Sequence, residues 1–253
     1  MTENASGTDK FRAVLVLAAT IGMIAFNWLA AAGNVGGVTP EAVSNRYPTL
    51  ITPAGYAFAI WSLIYLGMAA FSIYQLIPAN IFRFRSIRSL YITSCALNCA
   101  WIFFWHGDQI AICLAIITAL LVTLLLIASK LRVNESVGET WAAKVPFGIY
   151  AGWVTAATLV NFAVLLVYLN VQMSRGMATI LAVALILFAA LMGVLIRIKL
   201  ANYVYPLAIA WALTAIAVKQ SGQTSIVVAA AAGVIACLIA CLSLVMNLRS
   251  SQT

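Results

Sequence analysis

The stretch CALNCAWIFFWHGDQ, residues 95–109, decides both the fold and the site. An α-helix makes one turn in about 3.6 residues, so side chains three and four residues apart share a face. One such face in and before this stretch is polar and aromatic, and it consists of Tyr91, Ser94, Asn98, Trp101 and Trp105. An amide side chain lacks hydrogen-bond partners in hydrocarbon, so we expect this face to point into a helical bundle rather than toward lipid.

The whole chain has the composition of a membrane protein. Of its 253 residues, 64% are apolar and only 8% are charged, and the mean hydropathy is +1.05. This composition predicts an all-α, polytopic membrane helical bundle. Because one span needs about 20 apolar residues, the hydrophobic runs predict about eight transmembrane helices. They cover residues 11–33, 53–76, a third run that ends near His106, 110–129, 146–169, 177–196, 200–218 and 225–248.

The net charge of +8 comes from basic residues at span ends and in loops, which indicates a role in topology rather than nucleic-acid binding. If both termini are cytoplasmic, only Arg46, Arg175 and Lys219 of the fourteen basic residues lie outside. The positive-inside rule favours that arrangement. We therefore predict a multi-pass protein of the plasma (cytoplasmic) membrane with both termini in the cytoplasm, surrounded by the lipid bilayer and without a nucleic-acid partner.

Two segments near the N-terminus each have two interpretations. Residues 1–9 are polar and predicted to be disordered, and the run 11–33 is either a retained helix or a signal peptide; its length, with Asn27 and Trp28 inside it, favours a retained helix. The Gly/Pro/Asn-rich connection that follows, residues 33–50, is either a lid over a binding site or a plain connector.

Several kinds of chemistry are disfavoured by the residues that are missing. No acidic residue falls inside a predicted span, which argues against an ion-coupled pump. His106 is the single histidine, which excludes a multi-histidine metal site or a catalytic histidine pair within one chain. It lies near Asp108 at a turn, where an interfacial histidine is favoured over a proton donor. The sequence thus predicts no catalytic residue, no metal site and no cofactor.

A second polar and aromatic face lies on the fifth span, where Tyr150, Trp153, Ala157 and Asn161 are three and four residues apart. Indole and phenol rings with a few amides could wall a cavity for a flat, largely apolar ligand that is neutral or weakly anionic. Alternatively, Asn98 and Asn161 simply form hydrogen bonds between helices and hold the bundle together. The residues themselves leave both interpretations open.

Three segments resemble the tryptophan-rich sensory protein and translocator protein family (TspO/MBR), in that family's order and spacing over about residues 11–170. The third-span segment ALNCAWIFFWHGDQ is similar to the family's at Asn98, Trp101, Phe103, Phe104 and Gly107. The second span is similar at Pro53, Trp61, Ser62 and Tyr65, and the fifth at Pro146, Trp153, Ala157, Thr158 and Asn161. The resemblance implies a five-helix bundle over residues 1–170 that binds porphyrins, sterol-like or other apolar ligands beneath its first loop. Residues 171–253 would be a three-helix transmembrane extension.

The helix faces and the resemblance together give a predicted ligand site, which consists of Trp61, Tyr65, Asn98, Trp101, Tyr150, Trp153 and Asn161. The predicted function is to bind, sense or move a small apolar ligand that is tetrapyrrole- or sterol-like. The alternative is a gradient-driven transporter or exporter in which the added helices complete a pathway. A tetrapyrrole-degrading enzyme is least supported, because no general acid or base stands near Trp101 and Trp153, so we predict that the protein is not an enzyme. The protein could assemble as a homodimer.

Overall fold

The computed structural model describes residues 7–133 and 136–250, with side chains as far as Leu242. These residues form an all-α, polytopic membrane bundle, and none of them lies in a strand. The helices are α1 (Gly7–Ala31), α2 (Pro40–Arg46), α3 (Ile60–Tyr74), α4 (Arg88–His106), α5 (Ile110–Lys130), α6 (Val145–Tyr168), α7 (Arg175–Leu200), α8 (Tyr205–Lys219) and α9 (Thr224–Ser250). A 3₁₀ turn, Gly55–Ala59, leads into α3, and a π-helical turn, Thr140–Lys144, leads into α6.

The predicted fold class is confirmed, and a long helix lies in each of the eight predicted spans. Within the described ranges, six helical segments are long and apolar enough to cross a membrane, by length and composition. The helix α8 is apolar but shorter, and α4, which carries Arg88, Asn98 and His106, is not among the six. Both helices line the candidate site, α4 with Trp101 and Trp105 and α8 with Ala212 and Ile216.

The loops gather at two ends of the bundle. At one end, Arg83 forms an ion pair with Glu139, and Arg85 Nε lies 3.2 Å from the Asp9 carboxylate. At the other end, Tyr47 donates a hydrogen bond to Asp108 (2.8 Å). Loops that were predicted to be cytoplasmic therefore lie at one end of the bundle, and those predicted to be external lie at the other. Which of the two ends faces the cytoplasm stays a prediction.

The prediction of disorder before the first span is wrong for residues 7–9. They form the first turn of α1, and Asp9 is buried because it lies beside Arg85 and Arg88 of the opposite segment. Residues 1–6, the acidic residue Glu135 and the side chain of Arg249, which is one of the basic residues assigned to the cytoplasm, lie outside the described residues.

Helix α6 lies at the centre of the bundle and contacts α3, α5 and α8, while α4 packs between α1 and α5. Two glycines allow the close approaches. A Cβ atom at Gly152 would overlap the carbonyl oxygen of Tyr205 on α8, and one at Gly67 would lie 2.8 Å from Cβ of Pro146. The helices α7, α8 and α9 pack on one another, and α8 joins them to α6. The division into 1–170 and 171–253 stays a prediction.

Candidate ligand-binding cavity

Trp61 on α3 is the centre of an aromatic cluster. Its ring stacks on Tyr65 and Trp101, with centroids 5.6 and 6.4 Å apart, and meets Tyr150 and Trp153 edge-on at 5.9 and 6.3 Å. Trp101 and Trp153 are only 5% and 4% exposed, so neither ring faces lipid. Five of the seven predicted site residues, from three helices, therefore lie together.

Asn98, another predicted site residue, belongs to a buried chain of hydrogen bonds. Asn27 Nδ2 on α1 donates to Asn98 Oδ1 (2.6 Å), and Asn98 Nδ2 donates to the hydroxyl of Tyr150 (2.8 Å). Asn98 and Tyr150 are fully buried. Both polar atoms of the Asn98 amide are thus used between helices, which is the role of interhelical bonds rather than of ligand contacts. Sequence reasoning had not included Asn27 in the site, because a single amide in an apolar run does not reveal its partner.

The two buried tryptophans differ in their hydrogen bonding. Trp101 Nε1 donates to Asn161 Oδ1 (3.1 Å), and Asn161 Nδ2 donates to the carbonyl oxygen of Ala157 (2.9 Å). Trp153 Nε1 is equally buried but has no hydrogen-bond partner among the described residues. A buried donor without an acceptor costs about 1–3 kcal/mol. The Trp153 N–H is therefore a buried donor of the cluster that has no acceptor among the described residues.

An inner chamber of about 40 Å³ lies beside these rings. Its walls include four tryptophans, an amide and two side chains of α8, namely Trp61, Trp101, Trp105, Trp153, Asn161, Ala212 and Ile216, and Ser44 of α2 covers it. The Trp61 ring lies against both Trp101 of α4 and Trp153 of α6.

A larger side groove of about 380 Å³ lies next to the chamber, bounded by α1, α2 and α3. Its lining includes Trp28, Glu41 and Tyr65. Phe58 and Trp61 line both the groove and the chamber, so these two rings form the partition between them.

The first loop lies against both cavities. Thr39 caps α2 by accepting a hydrogen bond from Ala42 N (3.2 Å), and Pro40 provides the fixed φ suited to a first helical position. Trp105 Nε1 donates to the carbonyl oxygen of Pro40 (3.0 Å), and Tyr47 donates to Asp108. Burial, together with this hydrogen bond and the Asp108 charge, raises the pKa of Tyr47 to about 12. Both contacts tie the loop to the end of α4.

Helix α8 was not part of the predicted site, yet it closes one side of the chamber. Trp211 Nε1 donates to the carbonyl oxygen of Ala57, and Ala54 N donates to that of Ala215, both at 3.0 Å. These bonds hold the segment before α3 against α8. Trp211 is a tryptophan within the seventh predicted span and could have been noticed in the sequence, but it lies beyond the segments, about residues 11–170, that resemble the TspO/MBR family.

His106 lies in the last turn of α4, with Nδ1 2.7 Å from the carbonyl oxygen of Ile102. His106 Nε2 and Asp108 Oδ1 are buried and have no hydrogen-bond partner in the part of the chain that the structure describes. In that same part, no group of three histidine, cysteine or acidic side chains is placed to hold a metal ion.

The helices and the cavity define a polytopic α-helical membrane protein with an aromatic-walled chamber inside its bundle. A model of the family described as TSPO-like protein matches residues 13–245, and the chain therefore belongs to the TSPO-like family. The family predicted from the three segments is confirmed, and the match continues through α7 and α8 and into α9. Neither a curated protein nor a solved structure matches the chain.

Proposed function

We propose that this protein binds a small apolar ligand inside the membrane, at the aromatic cluster around Trp61. The observation that carries the proposal is the N–H of Trp153, which is buried in the chamber wall without an acceptor. More than about 90% of buried polar groups in proteins are paired. An oxygen or nitrogen atom of a bound ligand would supply the acceptor that the described protein does not.

The sizes of the cavities indicate how a ligand would enter. Small-molecule sites usually measure about 300–1,000 Å³, so the inner chamber alone is too small and the side groove, at about 380 Å³, is large enough. Rotation of the partly buried Trp61 ring would join the two spaces. The ligand would then stack on Trp101 and lie against Trp153.

The chemistry of the walls supports a flat, largely apolar and neutral ligand. Aromatic rings favour stacking, and the chamber wall adds one buried donor without a partner among the described residues, the Trp153 N–H, because both polar atoms of the Asn161 amide are already hydrogen-bonded. Glu41, the charged residue of the side groove, disfavours an anion there. A neutral tetrapyrrole or a sterol-like molecule fits this description better than a porphyrin with free carboxylates.

Titration of the purified protein in detergent tests the proposal. Protoporphyrin dimethyl ester is followed by its fluorescence, and cholesterol by competition. We expect Trp153→Phe to raise Kd by about 2- to 13-fold, the equivalent of one hydrogen bond of about 0.5–1.5 kcal/mol. Trp141→Phe is the matched control, since Trp141 is exposed in the loop before α6. The proposal fails if the wild type binds neither compound, or if the two variants bind alike.

The same proposal includes the setting in the cytoplasmic membrane with both termini inside. Labelling single cysteines placed in the loops of Arg46 and Arg83 from either side of the membrane tests it, because the topology puts these loops on opposite sides. A gradient-driven transporter would additionally show flux in proteoliposomes. No chamber-lining residue that the structure describes is an acid or a histidine, which supports binding rather than catalysis.

A further inference from the structure

A third cavity, the α7 pocket, lies between α6, α7 and the segment of residues 48–51. Its volume is about 130 Å³, and its walls are aliphatic, including Leu166, Val167, Leu181 and Leu185. Thr49 is the one polar side chain among its lining residues, and its hydroxyl is hydrogen-bonded to that of Thr52 (2.9 Å). Among the described residues that line the α7 pocket, the one polar side chain is therefore already hydrogen-bonded, and the pocket suits a hydrocarbon guest.

A small void of about 10 Å³ lies between the α7 pocket and the inner chamber. This void shares Ala156, Val160 and Ile216 with the chamber. It shares Ile51 and Leu185 with the α7 pocket. The three spaces thus follow one another in a line, and aliphatic side chains form the walls between them.

Polarity changes in one direction along this line. The chamber has the unpaired Trp153 N–H and the Asn161 amide, whereas the α7 pocket has only aliphatic surface and a satisfied threonine. We propose that the ligand is an amphiphile, with a flat ring and a hydrogen-bond acceptor at the aromatic cluster and a single hydrocarbon chain that lies in the α7 pocket. This inference rests on the proposed function and gives the ligand class for the same site.

A pair of probes that differ only in the chain tests the inference. They are 9-anthracenemethanol and its dodecyl ether, which share the ring and an oxygen acceptor. Ala178→Phe fills the α7 pocket, and Ala184→Phe is the matched control because Ala184 is exposed on the same helix. We expect Ala178→Phe to raise Kd of the ether by about tenfold, the equivalent of roughly two methylenes forced out of an apolar site. The alcohol should stay within about twofold in both variants. Each comparison uses one probe in one detergent, so its partition into micelles cancels.

The outcomes separate this inference from the proposed function. If the wild type binds neither probe, the proposed function fails and the inference fails with it. If the wild type binds the alcohol but Ala178→Phe binds the ether as well as Ala184→Phe does, only the inference is overturned.

A second measurement applies if Ala178→Phe does not fold. An ether with a diazirine at the chain end is irradiated on wild-type protein, and the labelled residues are located by mass spectrometry. We expect labelling at residues 178–185 that excess 9-anthracenemethanol abolishes, because one molecule would occupy chamber and pocket together. Labelling that persists under this competition means that the pocket holds a chain independently of the chamber, as a bilayer lipid would, and overturns the inference.

Discussion

Trp101 and Trp153 allow bundle stability and ligand binding to be separated by one substitution made at two positions. Both indoles are almost fully buried and both touch the Trp61 ring, so replacement by phenylalanine removes a similar amount of packing from each. The difference is one hydrogen bond. Trp101 loses its bond to Asn161, whereas Trp153 has no bond to the described protein to lose.

The expected magnitude follows from that difference. Trp101→Phe forfeits a buried hydrogen bond and leaves the Asn161 oxygen without its donor, at a cost of about 1–3 kcal/mol in proteins generally. Interhelical hydrogen bonds in membranes average about 0.6 kcal/mol and reach about 1.7. We therefore expect Trp101→Phe to be less stable than Trp153→Phe by about 1–2 kcal/mol. For a domain of this size this is about 2–8 °C in Tm.

A fluorogenic thiol dye provides the assay, because Cys95 and Cys113 are free and buried and react only when the bundle opens. Each variant is heated in the same detergent, and ligand titration follows on the same samples. We expect the order of binding affinity to be the reverse of the order of stability, with Trp153→Phe the more stable variant and the weaker binder. Equal Tm values, or a lower Tm for Trp153→Phe, would refute the assignment of the two indoles.

Three further predictions use the same preparations. Gly152→Ala should lower Tm by several degrees in the dye assay, because the added methyl group would overlap α8. Gly176→Ala is the control and should leave Tm unchanged, because the space around its Cβ is open. Equal effects of the two substitutions would exclude a close helix contact at Gly152. Tyr47 should ionise near pH 12 rather than 10, as measured by absorbance at 295 nm against a Tyr47→Phe reference. The free energy of unfolding should fall between these pH values, because the tyrosine of the unfolded chain releases its proton first. Asp108→Asn should move the pKa of Tyr47 back toward 10, and an unchanged titration in that variant would contradict the contact. Asn98→Ala should lower the free energy of unfolding by about 1–3 kcal/mol in the thermal assay, since it breaks two buried hydrogen bonds. The Kd for 9-anthracenemethanol should stay within about twofold of the wild type. A large loss of affinity would place Asn98 in the binding site.

The sequence predicted the helices well because hydropathy and the 3.6-residue period are local properties. It was less accurate where tertiary contacts determine the backbone. The second span was predicted to be helical from Pro53, whereas the helix α3 begins at Ile60 after a 3₁₀ turn. Ala54 N is hydrogen-bonded to the carbonyl oxygen of Ala215 on α8, so a partner about 160 residues away shapes this segment.

The faces of the site were also predictable, but the pairing of its polar groups was not. Periodicity placed Trp101 and Asn98 on one side of α4 and Trp153 and Asn161 on one side of α6. Which donor meets which acceptor depends on helix rotation and offset, and single-sequence periodicity does not contain that information. The contribution of α8 was missed for the same reason, since Ala212 and Ile216 are ordinary apolar residues and carry no local sign that they close a cavity.

The hydrogen bonds bear on the two interpretations that the sequence left open. If the two polar faces served only to join helices, each buried donor among them would be expected to have a protein acceptor, as Asn98 and Trp101 do. Trp153 does not, although it shares a cavity wall with Trp101 and Asn161. The amides of the cluster join α1, α4 and α6. We propose that the Trp153 indole, whose donor has no acceptor among the described residues, serves the second role beside the chamber. Because Trp61 contacts both tryptophans and borders the side groove, movement of this one ring would expose the free donor to a ligand without breaking the bonds that hold the helices.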